Sequence, residues 1–343
     1  MRLLVDADLV ACETLRKNPT HHGGKVLDAD VTTLSGPDLR KLAGLSRSDP
    51  LLIVGGPPCQ PFSKAAYWTD PGDEARYRRA RARGQRTRRP TRPIKARPDA
   101  RRSLVYHFWR LIEEAKADAF VFENVPSILH PRNERLLGRL IRSAESGRFK
   151  TQIVSVNAVD FGVPQRRNRV FVLGMRRDQP EAPKPTHAGA PMSAGEALEP
   201  LSDPAHFEPE EIVTGRWAEH LRTIPPGWNY KAHTAWGGHP NPTFVTETRF
   251  WSFLLKLHPT LPSWTIAANP GPWVGPFHWD SRRLRTVELA ALQAFPRGYD
   301  FVGSRRERVR QIGNAVPPLL AERVVEAMVA RLEGTAAARR RRR

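Results

Sequence analysis

Cys59 and Glu123 are the two side chains whose positions in the sequence favour covalent and acid–base chemistry. Each follows a short apolar run, residues 51–54 before Cys59 and residues 119–122 before Glu123. Such runs are typical of buried strands in a parallel sheet, and open α/β sheets place their chemistry at the carboxyl ends of the strands. The Gly-Gly-Pro-Pro segment at 55–58 stiffens the turn before Cys59. We therefore interpret Cys59 as a presented nucleophile rather than an inert packed thiol, and Glu123 as its partner rather than a solvated or capping carboxylate.

Two arginines at alternate positions form a second candidate group. The segment Gln-Arg-Arg-Asn-Arg at 165–169 leads into the apolar run 170–173, which predicts a strand. Because alternate side chains of an extended chain point to the same side, we expect Arg167 and Arg169 to converge on one pocket and Arg166 to face away.

Asp6 and Asp30 are candidate ligands for a nucleotide-like molecule. Asp6 follows a predicted strand at 3–5, and Asp30 lies just after a second predicted strand at 26–27. A carboxylate after such a strand can accept hydrogen bonds from both hydroxyls of a ribose. Ordinary loop-capping aspartates are an equally common interpretation of the same residues.

The composition of the chain indicates a polyanionic partner. Its 343 residues include 55 Lys and Arg against 35 Asp and Glu, a formal net charge of +20, which most simply predicts nucleic acid. The sequence has no apolar run near the ~20 residues of a membrane span and no secretory leader pattern. Its two cysteines, Cys12 and Cys59, exclude a disulfide framework and a cysteine-rich zinc site. We therefore expect a cytoplasmic protein without a metal, in which Cys12 packs within a helix.

Alternating elements must position these side chains. Helices are predicted at residues 10–15, 103–115, 135–143, 283–296 and 319–332, and a further strand at 151–157. From about 176 to 280 the chain is rich in Pro, Gly, His and Trp without a sustained period, which predicts a separate, loop-rich unit. The tryptophans of this unit are interpreted as a small core rather than as base-stacking residues.

An arginine-rich insertion at about residues 70–102 follows the predicted nucleophile. It carries thirteen basic residues, among them Arg78, Arg79 and Arg81, and is interrupted by prolines. Such a segment cannot bury a core and is predicted to be mobile. Contact with backbone phosphates and a disordered surface insertion are equally compatible with it. The basic tail at 339–343 is predicted to be disordered and at most to contact phosphates.

Five segments, in this order, resemble the motifs of the DNA cytosine-5 methyltransferases. They are Gly-Pro-Pro-Cys-Gln-Pro-Phe-Ser at 56–63, Glu-Asn-Val at 123–125, Gln-Arg-Arg-Asn-Arg at 165–169, Arg-Leu-Arg-Thr-Val-Glu-Leu at 283–289 and Gln-Ile-Gly-Asn-Ala-Val at 311–316. The resemblance covers nearly the whole chain. It implies an α/β fold, a Rossmann-like S-adenosylmethionine-dependent methyltransferase sheet with helices on both faces, plus a small loop-rich target recognition domain. The implied division is a catalytic domain at 1–175, target recognition at 176–280, and a return to the catalytic domain at 281–338.

The same resemblance implies a role for each candidate residue in methylating cytosine C5 in duplex DNA. Cys59 would form a covalent adduct with C6 of a flipped base, Glu123 would hold N3 and the exocyclic amine, and Arg167 with Arg169 would hold O2. The implied contacts to S-adenosylmethionine are Asp6 with the ribose, Asp30 with the adenine, and Val31, Pro57, Asn314 and Val316. The implied DNA contacts are Gln165, Arg78, Arg79, Arg81 and Thr265, the last in a Thr-Ile pair similar to a Thr-Leu pair of the family.

One family element is missing from this sequence. Members normally open with a strand and a Phe-x-Gly-x-Gly-Gly loop that cradles the methionine end of the cofactor, whereas this chain opens at what resembles the second strand. A sheet without that central strand would leave two edges unpaired, which is costly in backbone hydrogen bonds. We therefore expect that the true start lies upstream. A strand from another chain and a damaged remnant are the alternatives.

Three functions stay open at this point. The first is a monomeric, nucleoid-associated DNA methyltransferase with a specific target sequence, which a restriction endonuclease could accompany. The second is a catalytically impaired DNA-binding remnant, suggested by the missing loop. The third is an RNA cytosine-5 methyltransferase, since a related type modifies transfer RNA with the same motifs. The size of the recognition segment and the basic insertion favour duplex DNA.

Overall fold

The computed structural model describes residues 1–63, 73–89, 96, 98–244 and 251–340, without the side chains of 73–75, 78, 82 and 335–340. The chain divides into two compact units. Unit 1 comprises Met1–Val156, Asn168–Lys184 and Arg323–Arg343, and unit 2 comprises Asn157–Arg167 and Pro185–Glu322. The division into catalytic and target recognition domains concerns function and stays a prediction.

The strands confirm the predicted α/β class. In chain order they are β1 (Leu3–Asp6), β2 (Lys25–Asp28), β3 (Leu52–Gly55), β4 (Ala119–Asn124), β5 (Lys150–Asn157), β6 (Gln165–Arg166), β7 (Asn168–Met175) and β8 (Ser263–Trp264). In unit 1, β1 pairs in parallel with β2, and a second sheet has the order β3-β4-β7-β5. Strands β3 and β4 are parallel and β4 and β7 antiparallel, while β6 and β8 form a short parallel pair in unit 2. Because β3 and β4 run in the same direction, the residues that follow them emerge at one edge of the sheet.

The strands of unit 1 are not equally buried. Strands β4 and β7 are buried almost throughout, whereas the apolar residues of β1 and β3 are half-buried or exposed, and Val54 is 53% exposed. Among the described strands, β1 pairs only with β2 and β3 only with β4, so each leaves one edge without a partner.

The helices flank the sheets and join the strands. In chain order they are α1 (Leu9–Lys17), α2 (Pro19–His22), α3 (Gly36–Leu42), α4 (Asp73–Ala82), α5 (Leu104–Glu114), α6 (Glu134–Ser146), α7 (Ala194–Leu198), α8 (Ala218–Thr223), α9 (Thr286–Leu292), α10 (Arg305–Asn314) and α11 (Pro318–Arg340). Helix α4 lies in the arginine-rich insertion, where the sequence analysis predicted no helix. Within the described ranges, no helix combines the length and the apolar composition that crossing a membrane requires.

The core of unit 1 fixes the strand that carries Glu123. Phe108 and Trp109 of α5 pack against Phe120 and Phe122 of β4, with Phe108 ring centres 6.2 and 5.7 Å from those of Phe120 and Phe122. Buried aromatic pairs of this kind add to the apolar area removed from water. A β-carbon on Gly55 would lie 2.6 Å from the Phe108 ring, so the end of β3 requires glycine.

Unit 2 has two apolar clusters and few strands, as the composition predicts. Trp217 and Trp273 pack against one cluster and Trp279 against the other. The core interpretation is wrong for three other tryptophans, since Trp228, Trp236 and Trp251 are 46%, 72% and 46% exposed. Composition alone could not separate the two sets because an indole suits both a core and a wet interface.

Charged side chains tie the loops of unit 2 to the start of α9. Arg282 pairs with Glu288 (2.6 Å) and Glu211 (3.2 Å), and Arg285 pairs with Glu211 (3.0 Å). Helix α9 begins at Thr286, and the backbone N–H of Arg285 donates to Glu288 (2.8 Å). Arg285 is therefore the N-cap residue of this helix. Each of these buried charges is therefore compensated by a side chain of opposite charge.

His278 should make the stability of unit 2 depend on pH. Burial, with Arg282 and Arg285 nearby, lowers the pKa of His278 to about 4, and the backbone N–H of Asp280 donates to Nδ1 (3.1 Å), as a neutral ring requires. The unfolded side chain titrates near pH 6.5. The stability from the neutral ring is therefore present above about pH 6.5 and is lost as the pH falls through about 4. We expect up to about 3 kcal/mol of loss in denaturant unfolding across this range, and His278→Asn should remove that component. An unchanged pH slope in the variant would contradict this.

Candidate active site

The loop after β3 presents Cys59. Cys59 caps the 3-10 helix Gln60–Phe62, whose last residue donates its backbone N–H to the carbonyl of Cys59 (2.9 Å). The Phe62 side chain is fully buried in the core and anchors the loop, while Cys59 stays half-buried. The other cysteine, Cys12, is fully buried, and burial raises the pKa of its thiol. Cys59 is therefore the accessible thiol, as predicted.

Glu123 and Asn124 end the neighbouring strand and meet this loop. Asn124 is fully buried and its Nδ2 donates to the carbonyl oxygen of Pro57 (3.1 Å). A β-carbon on Gly56 would lie 3.0 Å from Oε2 of Glu123, so the loop passes directly against the carboxylate. The register of β3 and β4, with Gly55 opposite Phe122, explains this meeting. The structure thus brings the predicted nucleophile loop and the predicted glutamate together.

Arg169 holds the Glu123 carboxylate. Nε of Arg169 lies 2.7 Å from Oε1 of Glu123, and the two side chains are 9% and 13% exposed. Arg169 also donates from Nη1 to the carbonyl oxygen of Asn168 (2.8 Å). A nearly buried, charge-assisted pair of this length has a well-defined geometry. One oxygen of Glu123 is therefore oriented by the arginine, beside the loop of Cys59.

Arg167 and Arg169 have different partners, whereas their alternate positions predicted a common pocket. Its side chain is 1% exposed and belongs to unit 2, where Nη2 donates to the carbonyl oxygens of Gly313 (2.6 Å) and Ala315 (3.0 Å). The alternation argument fails because the segment is not one strand. Strand β6 ends before Arg167 and β7 begins after it, and the two strands belong to different sheets.

Gln165 is also fully buried in unit 2. Its Nε2 donates to the carbonyl oxygen of Leu292 (3.1 Å) and to Oε1 of Gln293 (3.0 Å), and its Oε1 accepts from the backbone N–H of Ile266 (3.3 Å). Both ends of the amide are engaged inside the unit. This burial argues against the direct DNA contact expected for Gln165. Its hydrogen bonds instead stabilise unit 2.

The predicted cofactor residues of unit 1 lie near the carboxyl ends of β1 and β2. Asp6 ends β1 and Asp30 follows β2, and both carboxylates are exposed. The backbone N–H of Thr32 donates to Asp30 (2.8 Å) and lowers the pKa of that carboxyl. The carbonyl of Val31 accepts from Arg110 (3.0 Å), which fixes this loop. The carbonyl of the fourth candidate, Pro57, is the acceptor for Asn124.

Asn314 and Val316 belong to unit 2. Asn314 ends α10 with an exposed side chain, and Val316 is half-buried. Arg167 fixes the carbonyls on either side of Asn314, and Gln293 donates from Nε2 to the carbonyl oxygen of Ile312 (2.6 Å). The sequence therefore predicted the position of this turn but not that Arg167 is its support.

Unlike Gln165, the other predicted DNA contacts are exposed where the structure describes their side chains. Arg79 and Arg81 lie exposed on α4, whereas the side chain of Arg78 falls outside the described residues. Thr265 is exposed and its hydroxyl donates to the carbonyl oxygen of Arg166 (2.7 Å), beside the Arg166 guanidinium over Trp264.

Sequence comparison gives the family. The sequence profile of the C-5 cytosine-specific DNA methylases matches residues 92–330. The type II methyltransferase M.SacI of Streptomyces achromogenes is 35% identical over 351 positions, covering 95% of this chain and 83% of that protein. M.NgoFVII of Neisseria gonorrhoeae is 29% identical over 319 positions, covering 90% and 75%.

Structural comparison agrees on the fold. The crystal structure of a DNA modification methyltransferase encoded within a prophage of E. coli aligns with a TM-score of 0.66 at 19% identity, over 97% of this chain and 93% of that one. The predicted α/β methyltransferase fold is thereby confirmed. With a profile match over more than half of its length, this chain belongs to the C-5 cytosine-specific DNA methylase family.

Proposed function

We propose that this chain transfers a methyl group from S-adenosylmethionine to C5 of cytosine in duplex DNA, through a covalent bond between Cys59 and C6 of a flipped base. The observation that carries this proposal is the meeting of the Cys59 loop with the Glu123–Arg169 pair at the common edge of β3 and β4. A nucleophile and a fixed polar group for one substrate ring need this proximity.

Cys59 activates C5 of cytosine, which is a poor nucleophile by itself. Addition of its thiolate to C6 breaks the conjugation of the cytosine ring and gives C5 enamine character. Once C5 has gained a methyl group and lost its proton to a base, the C6–S bond breaks, the C5–C6 double bond returns and the thiolate is free. A free thiol is mostly protonated at neutral pH, since its usual pKa is about 8.5. Arg101 places a positive charge within electrostatic reach of Cys59.

Glu123 and Arg169 bind the base and stabilise the charge that develops in it. Glu123 in its protonated form donates to N3, which eases negative charge in the ring, and accepts from the exocyclic amine. Arg169 is paired with Glu123, so we assign contact with O2 to Arg169. Arg167 is buried against backbone carbonyls, and we assign it the support of the Asn314 turn.

The exposed carboxylates at the ends of β1 and β2 fit the polar part of S-adenosylmethionine. Asp6 suits the ribose hydroxyls and Asp30 the adenine. The resemblance to the family adds Val31, Pro57, Asn314 and Val316 as proposed contacts. When bound, S-adenosylmethionine supplies an electrophilic methyl group.

The charge of the chain suits DNA. The net charge of +20 and the exposed Arg79 and Arg81 provide phosphate contacts that are strong, sequence-independent and salt-dependent. Extrusion of the target base costs a few kcal/mol, which such contacts offset. We further propose a cytoplasmic, nucleoid-associated monomer with a specific target sequence, paired with a restriction endonuclease, because the type II names of M.SacI and M.NgoFVII belong to such systems.

A second candidate function is DNA binding without methyl transfer. The observation that favours it is that β1 and β3 each keep one edge unpaired among the described strands.

Two measurements on the same sample separate these functions. Calorimetric titration with S-adenosylmethionine is made on this chain and on one extended upstream to the nearest in-frame start, followed by transfer of labelled methyl groups to bacterial DNA and to transfer RNA. We expect binding, and 5-methylcytosine in the DNA digest. DNA binding by both chains without cofactor binding would establish the remnant, and methylation of transfer RNA alone would make the substrate RNA.

A further inference from the structure

We propose that Arg102 is a positioning residue that fastens the Cys59 loop to the segment after β4. The proposal rests on the proposed function, because the loop matters through Cys59. Arg102 lies at the end of the arginine-rich insertion, whose composition predicts contact with phosphates. Within unit 1, however, Arg102 contacts other residues of the protein.

One side of Arg102 holds the loop just after Cys59. Nη1 donates to the carbonyl oxygen of Pro61 (3.3 Å), and the guanidinium carbon lies 4.9 Å from the centre of the Phe62 ring. Phe62 is fully buried and Pro61 is buried too, so this part of the loop is both packed and hydrogen-bonded. A cation over an aromatic face adds about 0.5–2 kcal/mol of attraction, more as it is desolvated.

The other side of Arg102 reaches a fixed acceptor. Nη2 donates to Oδ1 of Asn133 (2.7 Å), which is fully buried. Asn133 is held in turn, since its Nδ2 donates to the carbonyl oxygen of Ser127 and its backbone N–H to that of His130, both at 2.8 Å. Arg102 thus joins the loop after β3 to the turn that follows Glu123.

Cys59 consequently lies between two ties. Asn124 holds the carbonyl of Pro57 on one side of it, and Arg102 holds the carbonyl of Pro61 on the other. Both ties lead to the segment that carries Glu123, so they fix the distance between the thiol and the carboxylate. Displacing a reacting group by about 1 Å can cost about 100-fold in rate.

Arg102 is more buried than other arginines of the same insertion. It is half-buried, whereas Arg86 and Arg88 are exposed. Lysine cannot replace its planar fork, because one ammonium cannot serve both oxygens and lie over the ring in the same way. Arg86→Ala is therefore the matched control.

The first test needs neither DNA nor cofactor. The full chain is treated with iodoacetamide and the alkylation of Cys59 is followed by mass spectrometry, since buried Cys12 stays unlabelled. We expect Arg102→Ala and Asn133→Ala to speed the alkylation of Cys59 about fivefold by loosening the loop, and Arg86→Ala to leave it unchanged. Equal rates in all variants would overturn the proposal, even if the native protein proved inactive in methyl transfer.

The second test separates positioning from phosphate binding. We expect Arg102→Ala to lower the single-turnover methylation rate about 10- to 100-fold, with the KM for DNA and its salt dependence unchanged, and Arg102→Lys to recover only part of the rate. The double variant with Asn133→Ala should be no slower than either single variant. A raised KM with a shallower salt slope would assign Arg102 to phosphate instead, and additive losses would also refute the tie. If Arg102→Ala does not fold, the same measurements on Asn133→Ala and Arg102→Lys test the proposal.

Discussion

Cys59→Ala is expected to abolish methyl transfer and to leave DNA binding intact. The thiolate is the only group in the proposed reaction that activates C5, so its loss removes the chemical step and not merely an orienting contact. Removing a covalent nucleophile lowers turnover by at least about 10⁴-fold. The measurement is transfer of labelled methyl groups to DNA at saturating cofactor, together with the dissociation constant for DNA.

Cys12→Ala is the matched control for this result. Cys12 is fully buried, its Sγ contacts the carbonyl of Asp6 (3.4 Å), and its loss should cost about 1 kcal/mol of stability while methylation continues. Turnover by Cys59→Ala within tenfold of the native rate would rule out the covalent mechanism.

A trapping experiment tests the bond itself. In DNA with 5-fluorocytosine at the target, C5 carries fluorine, which cannot leave as a cation after methylation, so the Cys59–C6 bond persists. We expect a complex stable in denaturing gels from the native protein and from Cys12→Ala, and none from Cys59→Ala. A stable complex that survives in Cys59→Ala would place the adduct elsewhere.

The sequence predicted those parts of the site that depend on local structure. Cys59 and Glu123 each follow a strand within a few residues, and parallel neighbours must deliver both to one edge. Local pattern sufficed because an apolar run, a Gly-Pro turn and a polar residue are adjacent in the chain. The positions of Asp6 and Asp30 could be predicted for the same reason.

The features of the site that could not be predicted from the sequence depend on contacts between residues far apart in the chain. The contacts of Arg167 could not be predicted because its partners lie 146 and 148 residues away, and no local period reveals them. The burial of Gln165 depends on partners 127 and 128 residues away. Arg102 looked like its exposed neighbours, since only the folded chain brings Asn133 to it.

Glu123→Gln is expected to slow methylation by about 10²- to 10³-fold with the fold preserved. The amide keeps an oxygen that can accept from Nε of Arg169, so the buried contact at 2.7 Å survives. What it loses is a proton that can move to N3 and the second oxygen, which accepts from the exocyclic amine. Because that group acts on charge developing in the ring, the loss should appear in the single-turnover rate rather than in the affinity for DNA.

Glu113→Gln makes the same chemical change on the exposed surface of α5 and should be neutral. Arg169→Lys should slow the reaction about tenfold, since lysine places its charge but not the arginine geometry, and combining it with Glu123→Gln should cost less than the sum of the two effects. A variant of Glu123 that raised only the KM for DNA would make it a binding group without a part in the chemical step. A native methylation rate in Glu123→Gln would show that Glu123 has no part in the reaction. Its ion pair with Arg169 would then only stabilise the fold.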